Sequence, residues 1–415
     1  MNPMLVAALL LASPTAHLEH AHSAKPFFRS ELIFPTMQKH NHGSCIVELP
    51  NGDLLASWYR GSGERQADDV AILGARLRKG SSEWTESFVM ADTPGFPDTN
   101  ACMIIDPKKR LWLFWPTILA NQWESALMKY NISSNYQRSP GAPVWESEHV
   151  MPLKPGPEFL ATVERDLEKQ WAPYLALEKY HARMTAGLEH YKSKAADKLS
   201  VRRGWMTRVH PFILEGRRMI VPLYSDGFDF SIMAITDDWG ETWTMSEPLV
   251  GPGNVQPTIA RRKDGTLIAF FRDNGPPPQR VMRSESKDEG MTWTLAKDIE
   301  LPDPGAGVDV VVLKSGRWVL VNNDTEDGRH SLALTVSEDE GAHWSHKRHL
   351  EIDPVANADS GSYCYPSIIQ ARDGTIHVTY SYSPNRAHIA KEGKGESIKH
   401  ATFNEAWLME SETIR

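Results

Sequence analysis

Two histidines, His42 and His210, and a tyrosine pair, Tyr363 and Tyr365, stand where short apolar runs open. Histidine titrates near neutrality, which suits proton transfer. Tyrosine, with a pKa of about 10, is a poor nucleophile unless a base or a cation assists it. The residues just before such runs, and just after the runs that follow them, form a strongly polar set. Openings supply His40, His42, Asn100, Arg208, His210, Asn254, Gln256, Asp309, Tyr363 and Tyr365; exits supply Arg60, Glu64, Trp115, Tyr224, Asp226, Arg272, Asn274, Asn323 and Asp324. For each residue alone, capping a loop or bonding a neighbouring strand is an equal alternative; it is the whole set that points to a site. Neither HExxH nor CxxC occurs, so spacing gives no metal site, and no cofactor is expected.

The elements that must position these residues are repeated. Six turns, Pro50-Asn51-Gly52-Asp53, Pro107-Lys108-Lys109-Arg110, Glu215-Gly216-Arg217, Lys263-Asp264-Gly265, Lys314-Ser315-Gly316 and Arg372-Asp373-Gly374, each lead into an apolar run such as Leu111-Trp112-Leu113-Phe114-Trp115. Asn-Gly and Asp-Gly between apolar runs are strong hairpin signals. A second repeat, an Asp box of the form Ser/Thr-x-Asp-x-Gly-x-Thr-Trp, occupies Thr236–Trp243, Ser286–Trp293 and, with His343 in place of Thr, Ser337–Trp344. In such a turn Asp accepts backbone N–H groups, Gly takes a left-handed conformation and Trp fills the space between blades. Weakened copies end at Trp84 and Trp145, and the segment around Trp407 is expected to close the last blade. The interval from Trp145 to Trp243 is too long for one blade. Its excess, about 155–199, carries Phe159, Val163, Leu167, Trp171, Leu175, Leu177, Tyr180, Met184 and Leu188 at helical spacing and predicts a helical insertion, for packing or as a lid over the mouth. The chain therefore predicts an all-β, six-bladed β-propeller over residues 25–415. In a propeller all innermost strands run the same way, so the polar openings and exits converge on one mouth.

From about His40 to Trp407 the hairpins and Asp boxes resemble the sialidase (neuraminidase) superfamily, in its sialidase-like group with BNR/Asp-box repeats. His42–Trp58, Asp68–Leu77, Val255–Arg272 and Tyr363–Tyr382 carry the likeness most strongly. The resemblance implies three arginines on a sugar carboxylate, a tyrosine nucleophile activated by Glu, and an Asp acid/base. It assigns Arg280 and Arg329, ahead of two Asp boxes, to the second and third arginines, Asp68 to the acid/base with Glu64 as alternative, and Tyr365 or Tyr363 to the nucleophile. Arg208, Arg60, Arg272, Asn100, Gln256 and Asp309 are further substrate-binding candidates. Two roles have no counterpart: blade one opens His40-Asn41-His42-Gly43-Ser44 without arginine, and blade four opens Asn254-Val255-Gln256-Pro257 without a carboxylate. The leading expectation is an exo-glycosidase hydrolysing a terminal acidic sugar of a glycan. The alternatives are a polysaccharide lyase on uronate glycans, in which His42 or His210 with Tyr365 moves the proton, and a glycan-binding propeller without catalysis.

A net charge of -8 argues against a nucleic-acid surface, so an anionic partner needs a local basic pocket. Met1 to about Ala16, with an apolar Leu5–Ala12, reads as a signal peptide in a leader of 1–24, which implies secretion or export to the periplasm and a mature chain without a membrane span. His17, His20 and His22 follow as a polar leader. Cys45, Cys102 and Cys364 are expected to be buried thiols, and the acceptor triplet Asn131-Ile132-Ser133 carries little weight.

Overall fold

The computed structural model describes residues 25–137, 140–353, 359–385 and 395–411; the expected signal peptide and the three leader histidines lie outside them. The strands form six four-stranded antiparallel sheets, each a blade of one β-propeller. Blade one runs outward from His40–Glu48 through Leu54–Gly61 and Ala71–Leu77 to Phe88–Ala91. The innermost strands of blades two to six are Cys102–Ile105, Phe212–Leu214, Asn254–Arg261, Asp309–Val312 and Ser362–Gln370. The second strand Leu111–Ile118 is buried at every residue, because other strands or blades cover both faces, and it reads as a continuous apolar run.

The six hairpin turns each hold a residue in the left-handed region: Gly52, Lys109, Gly216 with Glu215 before it, Gly265, Gly316 and Gly374, with φ between 52° and 94°. The three Asp boxes share one hydrogen-bond pattern. In the first, Thr236 Oγ1 donates to Asp238 Oδ1 at 2.8 Å, which also accepts the Thr242 N–H at 2.9 Å, while the Gly240 N–H donates to Thr236 Oγ1 at 2.8 Å. Each box tryptophan packs on the preceding blade. Trp243 meets Phe114 and Tyr130 of blade two, Trp293 joins the cluster between blades three and four, and Trp344 meets Phe270 of blade four. The weakened copies do the same: Trp84 donates to Glu31 and lies edge-on to His400 of blade six, and Trp145 donates to the Met90 carbonyl of blade one.

Closure of the last blade differs from the expectation. Its outermost strand is Phe28–Leu32, from the other end of the chain, paired with Ser397–Phe403 from Phe28↔Phe403 to Leu32↔Lys399. Trp407, on the short helix Glu405–Leu408, stacks on Phe28 at 4.4 Å and lies under the Arg348 guanidinium of blade five at 4.0 Å. It is a sixth inter-blade plug, while the ladder hydrogen bonds that finish the blade come from the N-terminal strand. Ladder pairing needs an extended segment, and a helical turn around Trp407 cannot supply one.

Between blades two and three stand α1 (Phe159–Leu175), α2 (Glu178–Ala196) and α3 (Lys198–Arg202). Phe159, Val163, Leu167 and Leu188 are buried, and Phe159 joins Trp205, Phe228 and Phe230 in an aromatic cluster on blade three. The helical stripe thus packs the insertion onto the propeller. Among the described residues no helix is long and apolar enough to cross a membrane, and the three cysteines are free and buried.

Candidate functional site

Four inward-facing positions at the mouth are held in the left-handed region: Gly43 (φ 65°), Asn100 (φ 44°), Gln256 (φ 55°) and Tyr365 (φ 55°). In blades one, four and six they coincide with register shifts between His42 and Cys45, Val255 and Thr258, and Cys364 and Ser367. Such bulges turn a side chain out of the pleat, and left-handed backbone at a non-glycine residue costs on the order of 1 kcal/mol or more, which clusters at functional sites. In Gln256-Pro257 and Tyr365-Pro366 a proline follows, tolerated because the bulge frees its position from the ladder.

These bulges meet at Tyr365. Its Oη accepts Arg272 Nη1 at 2.8 Å and Gln256 Nε2 at 3.3 Å. Gln256 Nε2 also donates to Tyr224 Oη at 3.2 Å, which accepts Asn100 Nδ2 at 3.1 Å. Over the Tyr365 ring lie the guanidinium groups of Arg208 at 4.9 Å and Arg329 at 5.3 Å, and the His42 ring is 4.2 Å away. Arg208 donates to the Ser44 and Pro366 carbonyls, and Arg329 to the Gly305 carbonyl. None of the three arginines is ion-paired with a carboxylate among the described residues, and Arg208 Nε, Arg272 Nε and Gln256 Oε1 are buried without a hydrogen-bond partner. Burial, with His40 and the three arginines, holds the His42 pKa well below its ordinary value, so its imidazole is neutral at neutral pH. Burial likewise raises Asp226 to about 6, against the pull of Arg272, and Asp303 to about 7.

The other candidates from the sequence are placed as follows. Glu64 accepts the Tyr59 hydroxyl at 2.8 Å and lines a cleft of about 330 Å³ with His42, Arg329 and Tyr382. Asp68 is exposed in the loop after blade one's second strand and accepts Asn121 Nδ2 at 2.9 Å. Tyr363 turns away from the arginines, donating to Asp353 at 3.2 Å and stacking on Tyr382. Arg280 pairs with Glu326 at 2.6 Å. Register separates it from Arg272: Arg272 lies opposite Val255 of the innermost strand, whereas Arg280 lies opposite Pro302 of the outermost. Arg60 donates to Asn41 and Ser87 and covers the Phe34 ring. His210 and Asp309 lie together in the channel: the imidazole is 3.3 Å from Asp309 and 2.7 Å from the Ile46 carbonyl, and Asp309 also accepts Thr258 Oγ1 and the Ile368 N–H. That arrangement ties the blades together. Tyr224 and Asp226 were visible only as strand exits, and nothing local in the sequence links Tyr224 to Tyr365.

The BNR repeat-like domain family matches residues 52–167 and 176–378, more than half of the chain. The chain belongs to that family. A sialidase from Paraclostridium sordellii is 29% identical over 170 residues, which make up 35% of this chain and 40% of that sialidase's length. Among solved structures, a protein of unknown function from Dyadobacter fermentans superposes with a TM-score of 0.65 at 13% identity, covering 91% of this chain and 99% of that one. The NanB sialidase of Streptococcus pneumoniae has the same TM-score and identity, covering 96% and 73%. The structural likeness shows the fold, a β-propeller that this BNR-repeat protein shares with NanB.

Proposed function

We propose that this BNR-repeat protein removes a terminal acidic sugar from a glycan by hydrolysis, at the mouth centred on Tyr365. The observation that carries the reading is the group of three arginines around Tyr365, none with a carboxylate partner among the described residues. Clustered cations, Arg208 buried and Arg272 and Arg329 partly so, call for an anion, and a sugar carboxylate meets guanidinium forks with paired charge-assisted bonds. In this reading Arg272 and Arg329 take the carboxylate and Tyr365 Oη bonds to the anomeric carbon as the glycosidic oxygen leaves. That oxygen takes its proton from the loop carrying Glu64 and Asp68, and water then releases the sugar and restores Tyr365. Arg272 and Gln256 donate toward Oη, where they stabilise negative charge as it develops. With Gln256 where a carboxylate would serve as base, His42 beside the Tyr365 ring is the neighbouring acceptor for its proton, a base weakened by burial and by the same arginines.

The same neutral imidazole beside Tyr365 favours a second reading, a lyase on uronate glycans: His42 removes the proton at C5 and Tyr365 protonates the leaving oxygen. Incubation with sialylated and uronate-containing oligosaccharides, with products weighed by mass spectrometry, separates the two. A product pair that has gained one water supports hydrolysis; an unsaturated sugar formed without water means elimination. No cleavage of either class during long incubation defeats both.

A further inference from the structure

We infer that the helical insertion positions Arg272, and through it Tyr365, by a chain of hydrogen bonds that runs from α2 to the centre of the mouth. Tyr191 Oη donates to Asp229 Oδ2 at 3.4 Å, Asn274 Nδ2 donates to Asp229 Oδ1 at 3.0 Å, Arg272 Nη2 donates to Asn274 Oδ1 at 3.1 Å, and Arg272 Nη1 donates to Tyr365 Oη at 2.8 Å. Both oxygens of Asp229 are thereby engaged, one by the insertion and one by blade four. A carboxylate polarised by donors on both sides holds each more firmly than an isolated acceptor does.

The loop that carries Asp229 is built to be held from the insertion side. It spans four residues, Asp226 to Asp229, between Arg218–Ser225 and Phe230–Thr236 of blade three. Phe228 is buried in the aromatic cluster, 5.7 Å from both Phe159 and Trp205. Lys194 of α2 donates to the Gly227 carbonyl at 2.7 Å, and a Cβ on Gly227 would stand 2.8 Å from Glu124 Cγ, so the backbone passes close under blade two's loop. Asp229 itself is left-handed, with φ 52°. Tyr191 is fixed in turn by Trp171 of α1, ring to ring at 5.8 Å. The helical pair therefore acts as a bracket: its own packing sets Tyr191, Tyr191 and Lys194 set the loop, and the loop orients Arg272 through Asn274. In this account Tyr191, Asp229 and Asn274 are positioning residues. Arg272 would otherwise keep several rotamers, and its bond to Tyr365 would be made only part of the time.

The consequence for turnover rests on the proposed hydrolysis, so the test reads the relay without substrate. Place 3-fluorotyrosine at position 365 and record its ¹⁹F resonance in the ligand-free protein, in Tyr191→Phe, in Asn274→Ala and in the double variant. The relay predicts that each single change displaces the resonance and that Tyr191→Phe adds nothing once Asn274 is alanine, the non-additivity expected of groups acting as one unit. Lys192→Ala, beside Tyr191 on α2 and paired with Glu168 of α1 outside the relay, leaves the resonance in place. A displacement in Asn274→Ala but none in Tyr191→Phe overturns the proposal, as does an equal displacement in Lys192→Ala. With an acidic-glycan substrate, Tyr191→Phe should lower kcat/KM roughly threefold to tenfold, because Arg272 both holds the carboxylate and donates to Tyr365. Coupled ¹⁹F displacements without turnover on any acidic glycan keep the relay and defeat the hydrolase reading.

Discussion

The two faces of the propeller treat the same side chain in opposite ways. On the Asp-box face, Asp238 is lowered to about 2 by the Thr242 hydroxyl and N–H, and Asp339 to about 2 by the N–H and ring of His343. Each of these carboxylates has its donors within its own turn. On the mouth face, burial raises Asp226 to about 6 and Asp303 to about 7, and one oxygen of Asp303 is buried without a donor. The arginines follow the division: Arg218 forks onto Asp237 near the first box, whereas Arg208, Arg272 and Arg329 surround a tyrosine. The box carboxylates are satisfied within their own turns and add stability; at the mouth Asp303 Oδ2, Arg208 Nε, Arg272 Nε and Gln256 Oε1 are left without partners, which is the condition for binding something.

The largest effect that would break this contrast is in the mouth. Arg272→Ala should lower kcat/KM on the acidic-glycan substrate on the order of 10³-fold, while the melting temperature stays the same or rises, because the variant removes a partly buried charge that has no ionic partner among the described residues. A fall in melting temperature matching the lost activity would make Arg272 a structural residue. The converse applies to the other face: Asp288→Ala deletes an acceptor of Ser286 Oγ and the Thr292 N–H and should cost about 1–2 kcal/mol in denaturant unfolding. Its kcat/KM per folded molecule should be unchanged.

The sequence made the folding half of this division plain and the binding half only in outline. Hairpin turns and Asp boxes are local, so Gly52, Gly265 and the box at Ser286 announce themselves within eight residues. The helical insertion was readable from the spacing of Phe159, Val163 and Leu167. The site depends on convergence. Arg272 and Arg280 sit eight residues apart at the same end of blade four, and only their register opposite Val255 and Pro302 separates them. Tyr363 and Tyr365 differ in the bulge that turns one of them inward. Closure by Phe28–Leu32 pairs residues from opposite ends of the chain, which no window of the sequence contains.

A smaller effect sharpens the comparison through pH. A raised carboxyl pKa means that Asp226 favours the folded state below about 3.8 and that this contribution is lost as pH rises through about 6. Asp226→Asn should therefore stabilise the protein at pH 7. Ionised Asp226 also competes for Arg272, so KM for an anionic substrate should rise above about pH 6 in the native protein and remain flat in the variant. Asp339 runs the other way, its contribution present above about 3.8 and lost as pH falls through about 2. Asp339→Asn should then lose stability at pH 7 and little at pH 2; thermal unfolding of both variants across this range checks the signs.

The most direct measurement is calorimetric binding to Tyr365→Phe of a glycan ending in an acidic sugar, beside the same glycan with its carboxyl group reduced to the alcohol. If Arg272 and Arg329 hold the carboxylate, the acidic glycan binds about 100-fold more tightly, as two charge-assisted pairs require. Equal affinities would mean that the arginines around Tyr365 do not read the carboxylate, and the acidic-sugar account would be wrong.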